Sequence, residues 1–187
     1  MVDKMNVKID CKHPKDKNEL TVKRIIMKGI EQYGEGIPIL SNHVIVDKYS
    51  IPHSHPILTI NTDRLQKDKH PELSILALFI HENLHWFEEK HLSKEKEKLL
   101  QTEIEPYFRN DVKNVFHHDM KSYVQHVVVN WNEINILEHV LKGGDVDYIL
   151  NVADRRYKPL DILLRDGNNF KTFKKILKSH QLIWRKY

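Results

Sequence analysis

The segment HPELSILALFIHENLHWFEEKH, residues 70–91, constrains the fold more than any other part of the chain. Its apolar residues recur every three to four positions, which is the spacing of one face of an α-helix. They are Leu73, Leu76, Ala77, Ile80, Leu84 and Phe87. Pro71 suits the first turn, where its missing N–H has no helical partner to lose. The segment therefore predicts a long helix packed on a core, and the segment carries four histidines.

The flanking segments predict an α+β layout. Short strands are expected within residues 43–49 and 52–62, and a further strand is expected near residues 5–10. Further helices are expected at residues 18–34, 93–108, 119–144, 145–157 and 168–187, with a loop or short strand at 157–169. Ser93 is a suitable N-cap, Asp119 or Ser122 is expected near the start of the 119–144 helix, and Gly143-Gly144 is expected to end that helix.

The length of 187 residues predicts a single domain, residues 1–187, whose first 17 residues are loosely ordered. A hydrophobic fraction of 40% is enough to form a core without disulfide bonds. Cys11 is the lone cysteine, so it cannot form an internal bridge and fits a reducing compartment. No apolar segment resembles a secretion signal or reaches the roughly 20 residues that span a bilayer. We therefore expect a cytoplasmic location and no membrane partner.

The charge pattern argues against nucleic acid as a partner. The net charge is +4, but both signs are mixed along the chain, as on an ordinary solvated surface. The 13 histidines are more informative, because histidine is the commonest zinc ligand in proteins. Composition therefore favours a metal site over a nucleic-acid interface.

His81, Glu82 and His85 spell the pattern His-Glu-x-x-His inside the predicted helix. Residues four apart lie on the same face of a helix, so both imidazoles can direct a ring nitrogen at one ion. Glu82 lies at the edge of that face, where it can accept a proton from a metal-bound water as a general base. The alternative is two ordinary histidines on a helix, because the five-residue pattern also arises by chance.

The segment ILALFIHENLHWF, residues 75–87, resembles the active-site helix of the zincins, a superfamily of zinc metallopeptidases. This resemblance implies a compact α+β domain in which a small mixed sheet packs on the active-site helix and the C-terminal half is mostly helical. It implies a Zn²⁺ cofactor and a peptide or protein substrate, aligned along an edge strand that SHPILTINT would supply. A catalytically inactive zinc-binding or interaction module with the same shape is the alternative.

Two histidines do not complete a catalytic zinc site, so a third ligand is needed. His91 has the metzincin spacing from His81, but Glu88 stands where that pattern has a helix-breaking glycine. In an unbroken helix His91 lies about 15 Å along the axis from His81, which is too far to share an ion. The segment VVVNWNEINILE resembles the helix on which gluzincins carry a glutamate ligand, so the resemblance favours Glu133. His91, His126 and Glu138 remain alternatives.

Tyr123, His126, Asn130 and Glu133 form a polar stripe on the predicted 119–144 helix. A stripe of this kind in an otherwise apolar helix is typical of the wall of a polar site. His126 or Tyr123 could then donate a hydrogen bond to the oxyanion of a tetrahedral intermediate. The alternative is that the stripe is the solvent-facing side of an amphipathic helix.

Overall fold

A computed structural model describes residues 7–152 and 156–184 of the chain. The chain forms two compact units, Met1–Trp86 and Phe87–Tyr187, and the boundary falls inside the long helix of residues 71–91. The first unit contains the strands and the second is helical. The α+β class expected from the sequence is therefore confirmed.

The first unit contains a three-stranded sheet with helices before and after its last strand. In chain order the elements are β1 (Lys8–Cys11), α1 (Lys17–Tyr33), β2 (His43–Val46), β3 (Leu58–Ile60), α2 (Arg64–Lys67) and the start of α3 (Pro71–His91). The strands pair in the order β1-β2-β3, and both pairings are parallel. The expected mixed sheet is wrong for these strands, because each connection returns the chain to the same end of the sheet.

Strand β3 lies at the edge of this sheet, as expected for the segment that contains it. Its outer side is partly covered by the preceding loop. The His53 N–H donates to the Thr59 carbonyl at 3.1 Å, and the Thr59 N–H donates to the His53 carbonyl at 2.8 Å. The loop thus occupies the outward-facing backbone groups at the middle of β3.

Helices α1 and α3 confirm the two helices expected in this half of the chain. Asp16 caps α1 by accepting from the Asn18 and Glu19 N–H groups. Gly29 lets the two helices approach closely, because a Cβ atom there would lie 2.8 Å from Leu76 Cδ1. Helix α3 continues through Glu88 to His91 without a break.

The second unit is built around one buried helix. Its helices are α4 (Lys94–Ile104), α5 (Asn110–Val115), α6 (Met120–Val140), α7 (Gly143–Asp147), α8 (Lys158–Arg165) and α9 (Gly167–Ser179), with a 3₁₀ turn at Glu105–Tyr107 and a π-helical turn at Tyr148–Val152. Helix α6 packs against α4, α8 and α9. Ser93 caps α4 and Asp119 caps α6, both as expected.

Two sequence-based expectations in this unit are wrong. Helix α6 ends at Val140, and Gly143-Gly144 begin α7 instead of ending α6. Most of the 157–169 segment is helical instead of a loop or strand, because α8 spans Lys158–Arg165 and α9 begins at Gly167. Pro159 lies in the first turn of α8, where proline is tolerated, and Leu160, Leu163 and Leu164 are buried at helical spacing.

No helix in the described ranges is long and apolar enough to cross a membrane.

Candidate metal centre

His81, Glu82 and His85 lie together near the middle of α3, in the first unit. The two imidazole centroids are 5.0 Å apart and the rings are nearly perpendicular, at 78°. One ring nitrogen of His81 lies within 4.8 Å of one ring nitrogen of His85. His81 and Glu82 are buried, whereas His85 is partly exposed. The helix therefore brings the two imidazoles close to the spacing of a shared metal ion.

The donor set of α3 suits zinc. Two nitrogen ligands of a tetrahedral Zn²⁺ ion, each about 2.1 Å from the metal, are about 3.4 Å apart. A small rotation of either ring would bring the two imidazole nitrogens from within 4.8 Å to that distance. Imidazole also ranks among the preferred ligands of zinc and its first-row neighbours. These residues fit two of the ligand positions of a zinc site.

Asn83, inside the motif, fixes the backbone that leads into β2. Its Oδ1 accepts from the Leu40 N–H at 2.9 Å and from the Ser41 N–H at 3.2 Å. Its Nδ2 donates to the Phe79 carbonyl at 2.9 Å, and the side chain is fully buried. Asn83 therefore ties the motif helix to the sheet. Sequence reasoning missed it, although an asparagine within an apolar helix is a usable signal.

An open cleft of about 400 Å³ lies beside the motif helix in the first unit. Residues 40–43, Pro56, Ile57 and Trp86 line it. The indole of Trp86 packs against the His55 ring, with centroids 4.1 Å apart. Because Asn83 holds residues 40 and 41, one wall of this cleft is anchored to the same helix that carries His81 and His85.

His91 and Glu88 follow the motif on α3 and belong to the second unit. The His91 Nδ1 donates to the Phe87 carbonyl at 2.8 Å, and its ring stacks on the Phe87 ring. Since α3 is unbroken, His91 lies ten residues along the helix from His81, about 15 Å by helical rise. Glu88 is buried, and burial raises its pKa to about 7.

The polar stripe of α6 lies in the second unit and is buried. Tyr123, Asn130 and Glu133 are fully buried, and His126 is 8% exposed. The alternative that this stripe faces solvent is therefore wrong. Glu138, the other carboxylate considered as a ligand, is exposed.

One ring nitrogen of His126 forms a hydrogen bond with the backbone. Its Nδ1 lies 2.8 Å from the Ser122 carbonyl oxygen, which can only accept, so Nδ1 is the donor. In the neutral ring the lone pair is then on Nε2, the tautomer of many metal-binding histidines. The ring packs against both Tyr157 and Phe116, with centroid distances of 4.1 and 5.4 Å. This environment fixes both the tautomer and the orientation of the ring.

Tyr123 lies one turn before His126 in an aromatic cluster. Its ring stacks on Phe108 with centroids 4.5 Å apart, and it meets the edge of Phe116. The buried hydroxyl has no hydrogen-bond partner within the described part of the chain. Burial raises the pKa of the Tyr123 phenol, so the group stays protonated and can donate its O–H as a neutral group.

The structural role of two buried asparagines of α6 was also not predicted from the sequence. Asn130 Nδ2 donates to the Asp161 carboxylate of α8 at 2.8 Å, and both side chains are fully buried. Asn132 donates to the Val128 and Leu182 carbonyls, and its Oδ1 accepts from the Trp184 N–H at 2.7 Å. These bonds hold the polar face of α6 and the C-terminal segment in place.

No protein family, curated protein or solved structure matches this chain.

Proposed function

We propose that this protein is a zinc-dependent hydrolase that cleaves peptide bonds, a small cytoplasmic metallopeptidase. The observation that carries the proposal is the pair of imidazoles on α3, whose nitrogens lie within 4.8 Å of each other with Glu82 next to His81. A peptide or protein is the proposed substrate.

We assign His81, His85 and Glu133 as the zinc ligands. Burial of Glu133 supports this choice, because a bound dication would stabilise the charged form of a fully buried carboxylate. His126 is the competing ligand, supported by the hydrogen bond that places its lone pair on Nε2. The two candidates are seven residues apart on α6, and measurements of zinc content can distinguish them.

In the proposed reaction Glu82 is the general base. When bound, zinc would lower the pKa of the attacking water and polarise the scissile carbonyl. Glu82 would accept a proton from that water as it attacks the carbonyl carbon, and would then pass the proton to the leaving amine nitrogen. Tyr123, or His126 with both ring nitrogens protonated, would donate a hydrogen bond to the developing oxyanion, because the Nδ1–H of His126 is bonded to the Ser122 carbonyl. A neutral, protonated phenol suits this last role.

The replacement Glu82→Gln tests the function. We expect the variant to retain its zinc, measured by elemental analysis, and to lose hydrolysis of a mixed peptide library by a factor of about 100 or more. Glu138→Gln, which changes an exposed carboxylate of α6, is the matched control and should retain activity. Unchanged hydrolysis in Glu82→Gln would rule out the proposed base.

The replacements Glu133→Gln and His126→Gln test the third ligand. We expect Glu133→Gln to lose zinc and His126→Gln to retain it, with circular dichroism as the check that each variant is folded. Zinc retention by Glu133→Gln together with loss in His126→Gln would transfer the ligand role to His126. Retention of zinc in both folded variants would contradict both assignments.

The second candidate function is a catalytically inactive zinc-binding or interaction module. It is favoured by the presence of two buried candidate ligands on α6, because a structural zinc site uses four protein ligands and leaves no position for water. In that case loss of either Glu133 or His126 would weaken zinc binding. The zinc protein would also fail to bind a hydroxamate, which requires an open coordination position.

A further inference from the structure

A second group of metal-ligating side chains lies at the other end of the first unit. His13 follows β1, Asp47 follows β2, and Glu19 lies in the first turn of α1. Because β1 and β2 are parallel, their carboxyl ends meet at one edge of the sheet, where ligand sites of parallel sheets commonly form. The fold thus brings together three residues that are distant in the sequence.

The three side chains are close enough to share one ion. Each offers a ligand atom, and these atoms lie within 4.8 Å of one another. The His13 Nδ1 is 2.7 Å from Glu19 Oε1, and the His13 backbone N–H donates to Glu19 Oε2, also at 2.7 Å. Glu19 is fully buried, whereas His13 and Asp47 are partly exposed. An ion could therefore enter from solvent and reach the buried carboxylate.

The charges of this group are not balanced by lysine or arginine. Within the described residues, neither Glu19 nor Asp47 forms an ion pair with either type of side chain; the nearby Lys48 ammonium pairs with Asp16 at 2.6 Å. The Lys48 backbone N–H donates to Glu19, but it carries no formal charge. The His13 ring can pair with the Glu19 carboxylate as a charged partner only when it is protonated. A divalent ion would compensate both Glu19 and Asp47 with either form of the ring.

We propose that His13, Glu19 and Asp47 form a second divalent-metal site, separate from the candidate centre on α3. One imidazole and two carboxylates suit Zn²⁺ or Mn²⁺, with water filling the remaining positions. The ion would take the place of the proton between the His13 ring and Glu19. It would link the end of β1, the start of α1 and the end of β2.

Zinc titration of an His81→Ala/His85→Ala variant tests this site in the absence of the centre on α3. We expect calorimetry to detect one Zn²⁺ per chain. Adding His13→Gln and Asp47→Asn should weaken that binding by a factor of about 100 or more. Asp47→Asn keeps an oxygen that can accept from the Tyr49 N–H, so the loop is preserved. Asp10→Asn, which changes a partly exposed carboxylate of β1, is the matched control and should leave the affinity unchanged.

If the α3 variant does not fold, the zinc stoichiometry of the chain that keeps His81 and His85 provides a second measurement. Replacing His13 and Asp47 should lower its zinc stoichiometry from two to one, and the remaining zinc should support the activity proposed above. If α3 binds no metal, the stoichiometry should instead fall from one to zero. Failure of the proposed function can therefore be distinguished from failure of the second metal site. A zinc content and affinity that do not change on replacing His13 and Asp47 would overturn the second site.

Discussion

Replacing Glu88 by Gln should stabilise the protein above neutral pH. Removal of the carboxylate from water raises the pKa of Glu88 from 4.5 to about 7, with smaller contributions from the charges of Glu89 and Glu97. The folded state therefore binds this proton more tightly than the unfolded state, so the free energy of unfolding falls as pH rises from 4.5 to 7. The difference between these pKa values corresponds to at most about 3 kcal/mol. Glutamine carries no charge and should recover this free energy.

Urea unfolding followed by circular dichroism, at pH 4.5 and at pH 8.5, measures this effect. Glu88→Gln should match the unaltered protein at pH 4.5 and exceed its free energy of unfolding at pH 8.5 by up to about 3 kcal/mol. Glu138→Gln, at an exposed position, should show no such pH-dependent difference. An equal effect of Glu88→Gln at both pH values, or a loss of stability at pH 8.5, would refute the reasoning.

Three further predictions concern two buried asparagines and the partly exposed thiol of Cys11. Asn83→Ala leaves two backbone N–H groups before β2 without their acceptor and should lower the free energy of unfolding by about 2 to 4 kcal/mol, measured in urea; an unchanged midpoint would contradict this. Asn132→Ala should release the C-terminal segment, so that hydrogen exchange at the Trp184 amide becomes at least about tenfold faster while other amides of the second unit change less. Burial raises the pKa of the Cys11 thiol. The reaction of Cys11 with an aromatic disulfide reagent should therefore reach half its maximal rate at a higher pH than the same reaction of a free cysteine. A half-maximal rate at a lower pH would contradict the effect of burial.

The long helices could be predicted because each has a complete local signal. Helix α3 has an apolar stripe and a proline in its first turn, and α4 and α6 have Ser93 and Asp119 as caps. Helix α8 was not predicted, although Pro159 lies in its first turn, where no hydrogen bond is lost. The parallel pairing of the strands was also missed, since strand direction depends on the path of the connections.

Only the part of the candidate centre that depends on spacing along one helix could be predicted from the sequence. A separation of four residues on one helix determines that His81 and His85 face the same way, so this pair could be read from the sequence. Helix α6 carries both Glu133 and His126 on one face, and periodicity does not distinguish them. The bonds of Asn83 and Asn132 depend on segments more than 40 residues away, which no local pattern encodes.

The pairing of His53 with Thr59 has a consequence for the behaviour of the protein at high concentration. An edge strand with open N–H and C=O groups can recruit a strand from another molecule, and this is a common route to aggregation. In β3 both outward-facing groups of Thr59 are already bonded to His53, in an antiparallel arrangement. With only three residues in β3, this single bridge is enough to interrupt any continuous row of unpaired groups. The loop before β3 thus protects the sheet from intermolecular growth at this edge.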